Sequence, residues 1–156
     1  EALCAPAAHP FGTSVVVAEL FYNTPVRRKF LRSARTELLA IETSIKRLAL
    51  THPNIAFKLK HNDKILLDLA CSMNTSQNEQ RIAKLLNSAF LKQSHYININ
   101  HHGLILEGYF SSLSFHRNQH DWIFWSVNQR PVRDKLLLHA FKQVYANHLP
   151  PDRYPS

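Results

Sequence analysis

The side chains in this sequence with the clearest capacity for chemistry are its cations. One group is a short run in the first part of the chain: Arg27, Arg28 and Lys29. A second group gathers around the start and one flank of the last predicted helix: Arg130, Arg133, Lys135 and Lys142. Guanidinium and ammonium groups beside a helix N-terminus suit phosphate binding. The alternative for both groups is a solvated basic face, because runs of charge usually face water.

Other kinds of site find no support in the residue spacing, and we expect neither catalytic residues nor a metal site. No phosphate-binding glycine loop can be built from the three glycines: Gly12, Gly103 and Gly108. The pair His101-His102 lacks partners at metal-ligand spacing, so a turn is favoured there. Cys4 and Cys71 form neither a zinc framework nor a disulfide scaffold, which favours a reducing cytosol.

The composition favours a folded domain with an anionic partner. Hydrophobic residues make up 45% of the 156 residues, enough for a core. Nineteen Lys and Arg against eleven Asp and Glu give a formal charge of +8, for which nucleic acid is the leading partner. No stretch approaches the roughly 20 apolar residues of a membrane span. The chain lacks an initiator Met, so we expect a piece of a longer protein.

Local signals predict how the first basic run is held. Val15-Val16-Val17 predict a buried strand that opens at Gly12-Thr13 and continues to about Leu20. Asn23-Thr24-Pro25 then stops it, because proline cannot donate to a ladder but suits the first position of a helix. Thr24 is the expected N-cap of that helix.

The second basic group depends on a longer series of elements. An apolar stripe predicts a core-facing helix that ends at His52-Pro53: Leu38, Ile41, Ile45 and Leu48. Its N-cap is Ser33 or Thr36. Alternating residues predict hairpins over 55–69 and 95–110. Between them, Ser76 and Glu79 predict a capping box for a helix over 78–93.

The last elements carry the second basic group itself. Residues 122–127 predict a strand, and 133–148 predict a helix with one apolar side: Leu137, Ala140, Phe141 and Val144. Trp122 and Trp125 are favoured as core residues over stacking on bases.

Residues 21–31, Phe-Tyr-Asn-Thr-Pro-Val-Arg-Arg-Lys-Phe-Leu, closely resemble the signature of the MutL family of DNA mismatch-repair proteins. Residues 6–10 and Gly12-Thr13 support the match, and 127–135 are similar to the family segment V-N-x-R-x-x-R-D. The resemblance implies an α+β fold. Residues 1–71 would end a Bergerat-type (GHKL) ATPase domain. Residues 72–156 would form a transducer subdomain, like domain 2 of ribosomal protein S5 and truncated at its C-terminus.

The resemblance also implies roles for individual residues. Gly12 and Thr13 would form one wall of an ATP pocket. The family's DNA groove implies DNA contacts from the second basic group. The signature residues Asn23, Pro25, Arg27, Arg28 and Lys29 would lie at the junction of the two subdomains. The sequence departs from the family at Gln129, where glycine is common, and at Lys135, where arginine is common.

For the whole protein, the resemblance implies a weak ATPase that uses ATP and Mg²⁺. ATP binding would close an N-terminal homodimer around DNA and pass signals from MutS to a downstream nuclease and helicase in the bacterial cytoplasm, at the nucleoid. The catalytic Glu/Asn segment and the lid motifs are absent, so we expect this chain to be inactive alone and to bind ATP and Mg²⁺ poorly. The alternative function is a stand-alone, sequence-independent nucleic-acid-binding module without ATP coupling.

Overall fold

The computed structural model describes residues 4–119, 121–150 and 153–155, which form five helices and six strands. In chain order these are α1 (Pro25–Arg28), α2 (Ala34–Thr51), β1 (Phe57–His61), β2 (Lys64–Leu69), α3 (Thr75–Leu85), α4 (Ser88–Lys92), β3 (Ser94–His101), β4 (Leu104–Ser111), β5 (Trp125–Val127), β6 (Arg130–Val132) and α5 (Lys135–Tyr145). The strands pair as three antiparallel hairpins, β1–β2, β3–β4 and β5–β6. The predicted α+β class is confirmed. No described helix is long and apolar enough to cross a membrane.

The chain divides into two compact units between Leu38 and Leu39. In the first unit, the strand predicted from Gly12-Thr13 to Leu20 is wrong, because no described strand begins before Phe57. Val16 is 90% exposed instead of buried. A β-prone run becomes a strand only where another strand supplies ladder partners, and none pairs with this one in the described part of the chain.

The first helix begins where the sequence predicts. Pro25 occupies the first helical position and Thr24 the N-cap position. The Thr24 side chain makes no capping hydrogen bond, but its carbonyl accepts from the amides of Arg27 (3.0 Å) and Arg28 (3.1 Å). The short α1 therefore rests on the fixed φ of proline, and Arg27 and Arg28 on it are exposed.

The predicted cap and end of α2 are confirmed, but its predicted core face is only partly correct. Leu38 and Ile45 are half-buried, whereas Ile41 and Leu48 are exposed. The Oγ of Ser33 accepts from the amide of Thr36 at 3.3 Å, and the helix ends before Pro53. Ile41 is 46% exposed, whereas the fully buried residue of α2 is Ala49. A short side chain lets the backbone approach its neighbours, so the packed face is centred on Ala49 and includes only part of the aliphatic stripe.

The core of the second unit is small and lies around Ala49, Leu69 and Leu85. It is supplied by α2, β2 and α3, and four partly buried residues pack around it: Leu50, Phe57, Leu67 and Leu86. The β1–β2 hairpin follows the predicted alternation, and its predicted lysines are solvent-exposed: Lys58, Lys60 and Lys64. Lys58 pairs with Asp68 across the hairpin at 2.8 Å.

The predicted capping box at Ser76 and Glu79 is wrong. Helix α3 begins earlier, with Asn74 as its N-cap, and the Oδ1 of Asn74 accepts from the amide of Gln77 at 2.9 Å. Asparagine is as effective as serine at an N-cap position. The Gln77 side chain in turn accepts a hydrogen bond from the amide of Met73 at 2.7 Å. The single predicted helix is also divided, because Asn87 caps a separate α4 through the amide of Phe90 (2.7 Å).

A buried arginine joins the elements around the core. Arg81 on α3 is only 4% exposed and contacts no carboxylate in the described residues. Its guanidinium instead donates to four backbone carbonyls, those of Ala49, His52, Ile55 and Ala70. Burial lowers the pKa of Arg81 from its ordinary value. These contacts tie α3 to the end of α2 and to the end of the β1–β2 hairpin.

The predicted domain boundary near residue 71 stays a prediction.

The β3–β4 hairpin is confirmed, with an unbroken register from Ser94 opposite Ser111 to His101 opposite Leu104. Its turn is His102-Gly103, with φ of 49° and 80°. Positive φ at both positions defines the tight turn whose twist matches the strands. The predicted turn is therefore confirmed, with His101 as the last residue of β3 and His102 in the turn itself.

We expect Arg81→Met to lower the free energy of unfolding by about 3 kcal/mol, because one buried and three partly buried carbonyls would lose their charged donor. Urea denaturation followed by circular dichroism measures this. Lys84→Met, at an exposed position on the same helix, is the matched control and should change stability by less than about 0.5 kcal/mol. Equal effects of the two changes would contradict the structural role of Arg81.

Candidate nucleic-acid interface

Arg130 is placed by a hairpin that sequence patterns predict only in part. The strand predicted over 122–127 is limited to β5, Trp125–Val127, and β6 pairs with it from Val127 opposite Arg130 to Trp125 opposite Val132. The turn residues Asn128 and Gln129 have φ of 48° and 62°. Gln129 therefore keeps the left-handed geometry that glycine normally supplies, and Arg130 beside it is exposed.

Arg133 and Lys135 flank the start of α5, which Asp134 caps. The Oδ1 of Asp134 accepts from the amides of Leu136 (2.8 Å) and Leu137 (2.9 Å). The helix begins at Lys135, two residues after the predicted start, because residues up to Asp134 are extended. The predicted apolar side is only partly covered, since Phe141 is half-buried but Val144 is exposed.

Arg133 and Lys135 line a cleft of about 590 Å³ in the second unit. The cleft lies between α2, the segment 121–125 and the start of α5. Its cations come from two elements: Lys46 and Arg47 on α2, and Arg133 and Lys135 at α5. We call these four residues the basic cleft cluster. Apolar residues form much of the remaining wall: Leu39, Leu86, Ile123, Val132 and Leu138.

Arg47 and Arg133 approach each other without a neutralising acid. Burial, and then repulsion from Arg133, lower the pKa of Arg47 from its ordinary value. The Arg47 guanidinium lies 5.2 Å from the centre of the Phe124 ring. Its Nε is buried and finds no hydrogen-bond partner among the described residues. The arrangement therefore concentrates positive charge in a partly dry cleft.

Two of the three acids in the cleft are engaged elsewhere. Asp121 accepts two hydrogen bonds from Arg117, at 3.0 and 2.9 Å. Asp134 caps α5 as described. Glu42 makes no ion pair within 4.0 Å in the part of the chain that the structure describes. One free carboxylate thus faces four cations, so the cleft attracts anions.

The two tryptophans pack within the chain, as favoured from the sequence. The Arg117 guanidinium lies 4.0 Å from the centre of the Trp122 ring, and Phe115 stacks with the same ring at 6.1 Å. Trp125 meets Phe141 edge to face at 5.3 Å. The Trp125–Phe141 contact joins the segment 122–125 to α5, and both tryptophans line the cleft.

The other predicted residues lie outside the cleft. Lys142 is half-buried, with its Nζ 4.3 Å from the centre of the Tyr154 ring. In the first unit, all seven residues with predicted ATP or junction roles are exposed: Gly12, Thr13, Asn23, Pro25, Arg27, Arg28 and Lys29. Their roles, and the DNA contacts of the second basic group, stay predictions.

Sequence reasoning missed Lys46 and Arg47 as part of the basic surface. The available signal was their adjacency on the polar side of a helix, but adjacency does not show which distant element a helix meets. Among the described residues, no group of three His, Cys, Asp or Glu side chains is arranged to hold a metal ion.

Comparison with known proteins matches this architecture to a family. The sequence-family model described as "DNA mismatch repair protein, C-terminal domain" matches residues 82–156. The DNA mismatch repair protein MutL of Haemophilus influenzae is 43% identical over 156 residues, which cover all of this chain and 25% of that protein. MutL of Actinobacillus succinogenes is 42% identical over the same length and is covered to 24%. The chain therefore spans about a quarter of these relatives.

Solved structures agree with the sequence matches. The MutL ATPase domain of Aquifex aeolicus, complexed with ADP, is similar with a TM-score of 0.61 and 30% identity, over 82% of this chain and 46% of that one. The N-terminal domain of a DNA repair protein shares the fold, with a TM-score of 0.69 and 23% identity over 89% and 46% of the two chains. These matches define the class as DNA mismatch repair proteins. Within that class, the chain belongs to the MutL family.

We expect Gln129→Gly to raise the free energy of unfolding by roughly 1 kcal/mol, because glycine removes the Cβ strain of the left-handed turn position. Thermal or urea unfolding measures the change. The control is Gln80→Gly on the exposed face of α3, where glycine should instead cost about 1 kcal/mol. A loss of stability at both positions would contradict the turn geometry.

Proposed function

We propose that this chain supplies a DNA-contacting surface in a MutL-type mismatch repair protein. The observation that carries the proposal is the basic cleft cluster, in which Arg133 and Lys135 at the start of α5 stand beside two further cations of α2. Arg130 extends the positive surface from the adjacent β5–β6 hairpin. Exposed cations on rigid elements suit the phosphates of a nucleic-acid backbone.

The binding should be independent of sequence. Phosphate contacts position a protein on DNA but carry no base information. The aromatic side chains of the cleft already pack against side chains of this chain, which leaves phosphate attraction as the main source of affinity. Lys135 offers charge without the bidentate fork of arginine, which also favours a non-specific contact.

The wider role of the whole protein is part of the same proposal. ATP and Mg²⁺ binding upstream would close a homodimer around DNA and pass the MutS signal to a nuclease and a helicase. Gly12 and Thr13 would contribute one wall of the nucleotide pocket. Support comes from the similar MutL ATPase domain, which was solved with ADP. Residues 1–71 and 72–156 would then belong to the ATPase and S5-like transducer subdomains.

The test is the DNA affinity of this chain against salt concentration. We expect the log–log slope to be about −2 to −4, which corresponds to several phosphate contacts. The triple change Arg130→Glu, Arg133→Glu and Lys135→Glu should flatten that slope and abolish binding at moderate salt. Fluorescence anisotropy with a labelled duplex of mixed sequence measures both quantities.

The matched control is Lys64→Glu, which reverses one exposed charge in the turn region of the β1–β2 hairpin. It should leave the slope within about one unit of its original value. If Lys64→Glu weakens binding as much as Arg133→Glu alone, the affinity comes from net charge and not from the α5 surface. An absence of DNA binding at low salt would overturn the proposal for this chain.

A further inference from the structure

The basic cleft has a second property that DNA binding leaves unused, because much of its wall is apolar. Leu86, Val132 and Leu138 line the same space as Arg47 and Arg133. A volume of about 590 Å³ lies within the range of sites that enclose small ligands or side chains. The convex backbone of a duplex would contact the charges of the cleft but leave its apolar wall uncovered.

Nucleic-acid bases are also poor occupants of this cleft. A base would need an exposed aromatic face on which to stack. Phe124 packs under Arg47, and Trp122 packs against both Arg117 and Phe115. Trp125 packs edge to face with Phe141. Stacking would have to displace one of these internal contacts.

The charges of the cleft require an acid as the occupant. Arg47 and Arg133 both line the cleft and repel each other. A carboxylate placed between the two side chains would relieve that repulsion and form charge-assisted hydrogen bonds with their guanidinium groups. The apolar wall beside them would at the same time cover a bulky aliphatic side chain.

We propose that this cleft docks a short segment of a partner protein that presents an acidic side chain next to a bulky aliphatic one. The carboxylate lies between Arg47 and Arg133, and the aliphatic side chain lies against Leu86, Val132 and Leu138. This inference goes beyond DNA contact, because it assigns an occupant to the apolar wall that DNA leaves unused. The basic cleft cluster, Arg133 included, would serve both ligands.

The probe is a blocked tetrapeptide, acetyl-Gly-Asp-Leu-Gly-amide, titrated into the full chain. The reporter is intrinsic fluorescence, since Trp122 and Trp125 are the only two tryptophans and both line the cleft. We expect saturable binding with a Kd on the order of 1 mM or tighter. Replacing the Asp of the probe by Asn, or its Leu by Gly, should each weaken binding at least about fivefold.

Two variants of the protein test the placement of the carboxylate. Arg47→Gln should weaken the probe about tenfold, whereas Glu42→Gln should strengthen it several-fold by removing the unpaired acid of the cleft. The gain expected for Glu42→Gln cannot come from misfolding. Lys84→Gln, at an exposed position outside the cleft, is the control and should change nothing.

Several results would overturn the inference. They are equal binding of the Asp and Asn probes, an absence of saturation by the Asp probe at 10 mM (about ten times the expected Kd), or no gain with Glu42→Gln. A labelled single-stranded oligonucleotide, titrated in parallel, separates this inference from the proposed DNA contact. If Arg47→Gln weakens the oligonucleotide but not the peptide, the cleft is part of the DNA surface alone.

Discussion

The second unit depends on one buried cation. Arg81 brings a full positive charge into a small core, where desolvation is costly, and no described carboxylate neutralises it. Four backbone carbonyls instead accept hydrogen bonds from the guanidinium. Two of them, those of Ala49 and His52, lie at the end of α2. The C-terminal carbonyls of a helix lack amide partners and carry the negative end of its dipole. The guanidinium therefore satisfies acceptors that would otherwise be left unpaired inside the fold.

This constraint fixes the functional surface as well as the core. Ala49 accepts from Arg81, and Lys46 and Arg47 precede it on the last turns of the same helix. Because the end of α2 cannot shift without breaking those hydrogen bonds, its two cations are held opposite Arg133 and Lys135. Side chains held by rigid elements lose little conformational entropy when a ligand binds. Arg81, which does not line the cleft, thus positions the α2 cations that do.

Sequence patterns predict those elements whose partners lie close along the chain. The hairpins β1–β2 and β3–β4 follow from alternation and turn residues, because each strand pairs with the next one. Prediction fails where a distant element decides. Val15–Val17 have strand composition but no strand partner in the described residues, and the face of α2 that packs is set by α3 and β2. For the same reason the sequence places Arg133 and Lys135 at the start of α5, but only the fold shows that Arg47 lines the same cleft.

The pairing of Arg47 with Arg133 is unfavourable for folding alone. Like charges at short range reduce stability, and burial of Arg47 increases that cost. A neutral side chain of similar length on α2 would keep the contact with Phe124 and remove the repulsion. Local conflicts of this kind are expected at functional sites. The uncompensated pair, more than the formal charge of +8, is therefore the feature that favours an anion in the cleft.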